Sequence, residues 1–248
     1  MSLMEEGIHI ALSAEKITEV FGIPITNTLI TSWIVMGILA VIAVILGRNL
    51  AMVPNKFQLL FETGFGFILN YMEETLESRK LAIKFFPLIM TLFLFIFAAN
   101  VLEFTPGIGS IGLYHEGEFT PLLRSVNTDL NVTLALTLIS FFVIEFAGVA
   151  ALGFLKYAKR FVNVRSVLGF FIGLIELVSE IARLISFSFR LFGNIFAGEV
   201  LILVAAFFVP LFIPVPLMLF EVFVGFIQAA IFALLTLFFI KIAVTDTH

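Results

Sequence analysis

The stretch "SFSFRLFGNIFAGE", residues 186–199, lies within a long apolar run, yet it carries Arg190, Asn194 and Glu199. The run extends from about residue 166 to residue 209 and contains no proline. At a rise of 1.5 Å per residue, its roughly 44 residues would form a helix about 65 Å long. A helix that crosses a bilayer upright needs less than half of that length. We therefore predict one long, strongly tilted membrane helix with polar groups inside the membrane.

The composition indicates an integral membrane protein. Of the 248 residues, 61% are hydrophobic and 13% are charged, whereas soluble domains are about 45–50% apolar and about 25% charged. The chain has no cysteine, which excludes disulfides, thiolate metal sites and a cysteine nucleophile. His9, His115 and His248 all lie outside the apolar runs. We therefore expect no metal, no cofactor, no nucleic-acid partner and no intramembrane hydrolase chemistry.

The apolar runs predict a single membrane domain of the all-α polytopic class, with five membrane-embedded helices and one interfacial amphipathic helix. Each run is long enough to cross about 30 Å of hydrocarbon. The amphipathic helix would lie in the membrane interface, or alternatively dock a soluble partner. Its apolar face comprises Phe57, Leu60, Phe61, Phe67, Ile68, Tyr71 and Met72. The predicted segments are an external N-terminal segment 1–27, spans 28–47, 85–104, 132–155, 166–209 and 217–244, the amphipathic helix 55–80 and an external loop 105–131.

The basic residues predict the orientation of these spans. One side of the membrane would hold most of the lysines and arginines, namely Arg48, Lys56, Arg79, Lys80, Lys84, Lys156, Lys159, Arg160, Arg165 and Lys241. The other side would hold only Lys16 and Arg124. Because basic residues concentrate on the cytoplasmic side, we expect an external N-terminus and a cytoplasmic C-terminus. The two remaining basic residues, Arg183 and Arg190, would lie within the membrane.

The polar residues of the fourth span share one face. On a helical wheel at 100° per residue, they occupy an arc of about 120°. Glu199 points elsewhere, and Glu221 and Gln228 share a face of the fifth span. The orientation then predicts an inner series and an outer series of polar groups, with Arg190 between them, which is the arrangement of two half-channels. The residues within the arc are Glu176, Ser179, Glu180, Arg183, Ser186, Arg190 and Asn194.

Structural alternatives remain for several of these residues. Glu176, Glu180 and Arg183 could be ion-paired neighbours that stabilise the helix, and the serines could bond to the preceding turn. Glu145 in the third span has no identifiable partner, which favours a packing role. Arg190 differs, since a mid-membrane arginine costs from about 2.5 to more than 10 kcal/mol unless it meets water or a counter-charge. No acidic residue lies within one turn of it, so we infer a counter-charge from another chain.

Four sequence segments resemble subunit a of the rotary F-type ATP synthase. "SFSFRLFGNIFAGEVL" is similar to the family signature and keeps its spacing, R-x-x-x-N-x-x-x-x-E. "DLNVTLALTL" at 129–138 resembles the segment that opens the family's third span, and "PNKFQ" resembles the stretch after its first span. "GFIQAAIFALLT", around Gln228, resembles its last helix. The resemblance covers most of the chain but not the first twenty or so residues.

The resemblance implies a membrane stator whose last two helices are long, tilted and packed against a ring of small hairpin subunits, each with a buried carboxylate. A peripheral-stalk subunit and the lipid bilayer, most often the bacterial plasma membrane, would be its other partners. Arg190 matches the family's essential arginine. Asn194, Glu199, Glu221 and Gln228 match the outer half-channel. The inner half-channel is expected at Glu176, Ser179, Glu180, Arg183 and Ser186.

Two features bear on this expectation. Many family members carry histidine at one of the Glu199 and Glu221 positions, whereas this chain has glutamate at both. The alternative function is a self-contained ion-coupled secondary transporter, which would also need intramembrane charges. Such a transporter predicts inverted repeats or discontinuous helices at a midplane site, and the sequence shows neither pattern. The sequence does not determine whether the coupling ion is H⁺ or Na⁺.

Overall fold

A computed structural model describes residues 14–48, 51, 54–104, 112–115, 118–161, 167–210 and 212–245. Within these residues the chain forms seven helices and two short β-hairpins. Five helices are long and apolar enough to cross a membrane, judged by length and composition. The predicted all-α polytopic class is therefore confirmed. The helices are α1 (Asn27–Arg48), α2 (Lys56–Leu76), α3 (Arg79–Glu103), α4 (Leu130–Leu152), α5 (Phe154–Phe161), α6 (Val167–Phe208) and α7 (Pro214–Val244).

The two hairpins are elements for which the sequence analysis had no prediction. Strands β1 (Lys16–Val20) and β2 (Ile23–Thr26) pair antiparallel through a two-residue turn. Both turn residues, Phe21 and Gly22, have positive φ angles of 52° and 80°, as in the turns whose twist matches that of paired strands. Strands β3 (Gly112–His115) and β4 (Glu118–Pro121) form the second hairpin. Strands of four or five residues carry too little periodicity to be recognised by pattern.

Helix α2 has clear signals at both ends. The side chain of Asn55 accepts a hydrogen bond from the backbone N–H of Gln58 at 2.8 Å and caps the N-terminus. Glu77, with φ of 54°, adopts the left-handed conformation that ends the helix. Lys241 of α7 donates a hydrogen bond to the Glu77 carboxylate at 2.9 Å. This hydrogen bond, together with the positive charge of the lysine, lowers the pKa of Glu77.

The apolar face predicted for α2 divides into two parts. Met72 is fully buried, and Ile68 and Tyr71 pack against the same hydrophobic core. Leu60 and Phe67, by contrast, are 68% and 72% exposed. The helix therefore packs on the rest of the chain through its C-terminal half and leaves part of its apolar surface uncovered.

Gly153 separates α4 from α5. Its φ of 82° is accessible to glycine at little cost, and its N–H bonds to the carbonyl of Val149 at 2.9 Å, which closes the last turn of α4. Tyr157 of α5 then packs on α4 at Gly148, where an added Cβ would come within 2.3 Å of the tyrosine ring. Helix α5 was not predicted, since the third span was expected to continue to residue 155.

Helices α6 and α7 are the longest elements. Helix α6 has 42 residues without a break, which corresponds to about 63 Å at the α-helical rise. Helix α7 has 31 residues and begins at Pro214, a position where the missing N–H of proline costs nothing. In an 18-residue apolar stretch of α6, only 22% of the residues are buried, against 44% in the corresponding stretch of α7. Most of the surface of α6 is therefore not covered by the chain itself.

The chain divides into two compact units, and α1, α3, α4, α6 and α7 each contribute residues to both. The first unit comprises residues 1–40, 94–133 and 189–229, and the second comprises residues 41–93, 134–188 and 230–248. The core of the first unit is built around Val35, Ala99 and Val126. The larger core of the second unit contains Met72, Leu76, Ala82, Phe85, Ile89, Ile144, Ala147, Ala233, Leu237, Ile240 and Ala243.

Candidate functional site

Three glutamates come together in the first unit. Glu103 is the last residue of α3, Glu199 lies on α6, and Glu221 lies on α7. Glu103 interacts electrostatically with both of the others. Glu221 is only 5% exposed. Because carboxylates that are close and poorly solvated cannot all remain ionised at little cost, this cluster is suited to holding and exchanging protons.

The position of Glu221 depends on a glycine of the neighbouring helix. A Cβ at Gly198 of α6 would lie 2.3 Å from the carboxyl carbon of Glu221 and 2.4 Å from its Oε2. The carboxyl group therefore lies directly against the backbone of α6, one residue before Glu199. Side chains larger than hydrogen at residue 198 would displace it.

Glu103 is the functional candidate that the sequence analysis missed, because an acidic residue at the end of an apolar run reads as a helix boundary. The hydroxyl of Ser125 donates a hydrogen bond to Glu103 Oε2 at 2.7 Å. Asn100, one turn earlier on α3, is fully buried and donates to the carbonyl of Gly225 on α7 at 3.1 Å. The three-residue spacing of Asn100 and Glu103, which places both on one helix face, is the signal that could have revealed them.

A buried loop completes this part of the first unit. We call residues 124–129 the buried loop, because Ser125 through Asp129 are each at most 5% exposed. The side chain of Asn127 donates to Asn100 Oδ1 at 2.6 Å. Arg124 and Thr128 both interact with the carboxylate of Glu199. The loop therefore supplies polar groups to α3 and to α6.

Five buried polar atoms of the first unit have no hydrogen-bond partner among the described residues. Unpaired buried polar atoms are rare in folded proteins, and they are usually satisfied by internal water. Five of the six such atoms in the described part of the chain lie in this one unit. The atoms are Glu103 Oε1, Asn127 Oδ1, Glu199 Oε2, Glu221 Oε2 and Gln228 Nε2.

Arg190 and Asn194 also belong to the first unit. Arg190 is exposed on the surface of α6, and Asn194 is half-buried. On a different face of the helix, Leu191 and Ile195 are completely buried. Arg190 thus lies on a part of the α6 surface that the described residues leave exposed.

The residues predicted for the inner series all lie in the second unit. Arg183 forms an ion pair with Glu180 at 2.7 Å and lies over the ring of Phe239 of α7, 3.8 Å from its centre. Glu180 is 4% exposed. The hydroxyl of Ser179 donates to the carbonyl of Ile175 at 2.8 Å. These contacts match the structural alternatives. Glu180 and Arg183 form an ion pair along the helix, and Ser179 bonds to the preceding turn.

The other polar residues of the second unit differ in burial. Ser186 is exposed on α6 and Glu176 is half-buried. Glu145 of α4 is also half-buried, and its Oε1 has no hydrogen-bond partner among the described residues. In the described part of the chain, no three histidine, aspartate or glutamate side chains form a group that could hold a metal ion.

The chain matches proteins of one family along most of its length. The family model described as the ATP synthase A chain matches residues 29–241. The chain is 33% identical to "ATP synthase subunit a, sodium ion specific" of Propionigenium modestum, over 99% of this chain and 83% of the relative. It is 34% identical to "ATP synthase subunit a" of Campylobacter jejuni subsp. jejuni (strain 81-176), over 81% of this chain and 84% of the relative.

A third relative is matched almost from end to end. "ATP synthase subunit a 2" of Bradyrhizobium sp. (strain BTAi1) is 31% identical, over 94% of this chain and 95% of the relative. The chain is an integral membrane protein that belongs to the family of subunit a of the F-type ATP synthase, a stator subunit in ion translocation.

Proposed function

We propose that the chain translocates protons through two offset half-channels that open to the carboxylates of a rotating ring of small hairpin subunits. The observation that carries the proposal is the cluster of Glu103, Glu199 and Glu221, in which one buried oxygen of each carboxylate has no hydrogen-bond partner among the described residues. Such a cluster in membrane-embedded helices is costly unless water and protons reach it. It supports a route for protons between the outer aqueous phase and the ring.

In the outer half-channel, Glu103, Glu199 and Glu221 accept protons in turn, and Asn194 and Gln228 contribute polar groups. A negative charge on a buried carboxylate is costly, so an ionised carboxylate readily accepts a proton. A neighbouring carboxylate that holds a proton can therefore pass it on to that group. Gln228 is 5% exposed, and its buried Nε2 has no hydrogen-bond partner among the described residues. That amide supports a continuation of the polar route along α7.

Arg190 acts on the ring carboxylates that pass α6. A fixed positive charge nearby lowers the proton affinity of a carboxylate by about 1–3 pH units, so a ring site releases its proton there. The guanidinium itself cannot deprotonate at physiological pH. It therefore blocks direct transfer of protons between the half-channels. The exposure of Arg190 on α6 supports this role.

The inner half-channel is proposed along Glu176, Ser179, Glu180, Arg183 and Ser186. The exposed hydroxyl-bearing residues Ser179 and Ser186 line the surface of α6 and support proton release there. Glu180 and Arg183 form the buried wall beside them, held by their ion pair. In the proposed orientation, the N-terminus is outside and the C-terminus is cytoplasmic.

The proposed coupling ion is the proton, although the Propionigenium relative is named as sodium ion specific. The choice between the two ions depends chiefly on the ring carboxylate, which another chain supplies. The neighbouring glutamates of this chain suit the stepwise transfer of protons. The proposed partners are the rotor ring, a peripheral-stalk subunit and the lipids of a bacterial plasma membrane.

The proposal is tested by the variant Arg190→Ala in the assembled complex. We expect the complex to assemble and ATP-driven proton pumping by membrane vesicles to be lost. Arg48→Ala is the matched control, because Arg48 is an exposed basic residue in the last turn of α1. Normal pumping by the Arg190 variant would contradict the proposal. Rapid proton flux through the purified chain alone in liposomes would instead favour a self-contained transporter.

A further inference from the structure

The first turns of α3 carry two exposed lysines on the side of the helix that faces away from its core. On a helical wheel, Lys80 and Lys84 are about 40° apart, and both are exposed. Ala82, Phe85 and Ile89 project from the opposite side, where they are at most 6% exposed and belong to the core of the second unit. The two lysines therefore lie on a face of α3 that the described residues leave uncovered.

The same face of α3 continues as apolar surface. Ile83 is 55% exposed, and Pro87 is exposed one turn further along the helix. The 25 residues of α3 extend over about 37 Å, whereas the hydrocarbon of a bilayer is about 30 Å thick. The first turns of the helix therefore reach the level of the lipid headgroups. One face of α3 thus offers positive charge at that level and apolar side chains next to the acyl chains.

The charges of the two lysines are not neutralised by the described part of the chain. The preceding basic residue, Arg79, turns back to α2 and forms an ion pair with Glu73 at 2.6 Å. Neither Lys80 nor Lys84 forms an ion pair with a residue that the structure describes. The ammonium group of Lys84 lies 5.6 Å from the centre of the Phe85 ring, a contact that leaves its charge in place. Both positive charges can therefore meet an anion outside the chain.

The spacing of the lysines suits a single phosphate group. Side chains four residues apart on a helix have Cβ atoms about 5–6 Å apart, so the ammonium groups of Lys80 and Lys84 can contact the same phosphate. Helical side chains also lean towards the N-terminus, which here is the headgroup end of α3. Pro87 has no N–H, so the carbonyl of Ile83 lacks its usual donor four residues later. That carbonyl is a hydrogen-bond acceptor on the same face.

We propose that this face of α3 binds an anionic phospholipid with a hydroxyl-bearing headgroup, such as phosphatidylglycerol. The phosphate contacts Lys80 and Lys84, a headgroup hydroxyl donates to the carbonyl of Ile83, and an acyl chain lies along Ile83 and Pro87. Basic residues at a membrane boundary attract anionic lipids, whereas the ammonium group of a zwitterionic lipid is repelled by the lysines. The apolar surface beside the charges favours a lipid over a soluble anion. The inference is independent of the proposed route of the protons.

The test uses the assembled complex in phosphatidylcholine vesicles that contain a small fraction of photoactivatable phosphatidylglycerol. We expect cross-links within residues 79–91, which unlabelled phosphatidylglycerol displaces and extra phosphatidylcholine does not. In the Lys80→Gln, Lys84→Gln double variant these cross-links should fall at least about fivefold, since one basic residue near an anionic surface contributes about that factor. The matched control is Arg48→Gln with Lys56→Gln, which removes two exposed basic residues of α1 and α2 and should leave the cross-links unchanged.

Each outcome decides the inference. Equal displacement by the two unlabelled lipids would show ordinary boundary lipid and overturn it. Cross-links elsewhere on the chain but not within residues 79–91 would show that another subunit covers this face, which also overturns it. An equal loss in the control variant would show that only the total charge matters. If the double variant does not assemble, the displacement experiment on the wild type decides, together with Lys80→Gln alone, which should lower the cross-links about fivefold.

Discussion

The contact between Gly198 and Glu221 leads to a sharp prediction for Gly198→Ala. The new methyl group would lie 2.3 Å from the carboxyl carbon of Glu221, whereas non-bonded carbons rest at about 3.5–4.0 Å. The carboxyl group must therefore move by about 1.2 Å or more. A group that exchanges protons with Glu221 at hydrogen-bond distance would be out of reach after a displacement of that size. Proton transfer through Glu221 should then fall by at least about tenfold.

The same substitution should affect stability only modestly. The clashing atoms are the far end of a flexible side chain, so relief requires at most a χ angle displaced from its rotamer, which costs about 0.5–1.5 kcal/mol. The assay is ATP-driven proton pumping, normalised to the amount of assembled complex in the membrane. Gly193→Ala is the matched control on the same helix, because an added Cβ there would meet nothing within 4 Å. We expect that variant to pump at the wild-type rate.

A second substitution makes the test more specific. Glu221→Asp shortens the side chain by one methylene, so in combination with Gly198→Ala it should relieve the clash and restore part of the flux. Equal pumping by Gly198→Ala, Gly193→Ala and the wild type would refute the argument that the packed position of Glu221 matters. Loss of pumping without any recovery in the double variant would indicate that residue 198 acts on something other than this carboxylate.

The remaining predictions concern three other contacts. Glu199→Gln and Glu221→Gln should each slow proton flux, and the double variant should be slower than either, as measured by passive proton conduction in vesicles. Arg183→Leu should lower the thermal stability of the complex by about 3–5 kcal/mol, because it leaves the Glu180 carboxylate buried without its partner; an unchanged melting temperature would contradict this. The hydrogen bond from Lys241 to Glu77 stabilises the fold at pH values above the ordinary pKa of glutamate. This stabilisation is lost when the pH falls through the lowered pKa of Glu77. Glu77→Gln should therefore remove this acid-range change in stability, which thermal melts across pH would detect.

Glu103 shows why the sequence reached only part of the site. Glu199 and Glu221 were identified because they interrupt apolar runs, and interruption is visible in one dimension. Glu103 ends an apolar run, so its sequence context is that of an ordinary boundary. Only the packing of α3 beside α6 and α7 shows that its carboxylate interacts with the other two. The same holds for the buried loop, whose polar residues read as an ordinary connection.

Glu180 and Arg183 illustrate the opposite case. Their sequence spacing allowed either a helix-stabilising ion pair or a lining for a half-channel. The structure shows the 2.7 Å ion pair and the contact of Arg183 with Phe239, a residue more than fifty positions later in the chain. Spacing along one helix cannot predict a stacking partner on another helix. Their proposed role beside the inner half-channel is therefore that of a supporting wall.

The sequence by itself determined the membrane class, the five apolar helices and the unbroken length of α6, because hydrophobic length and the absence of proline act locally along the chain. It also determined which polar residues of α6 share a face, since helical periodicity follows from spacing. Only the tertiary structure decided that Gly198 makes room for Glu221 and that Ser125 bonds to Glu103. These contacts join residues far apart in sequence, and their free energy depends on distances that only packing sets.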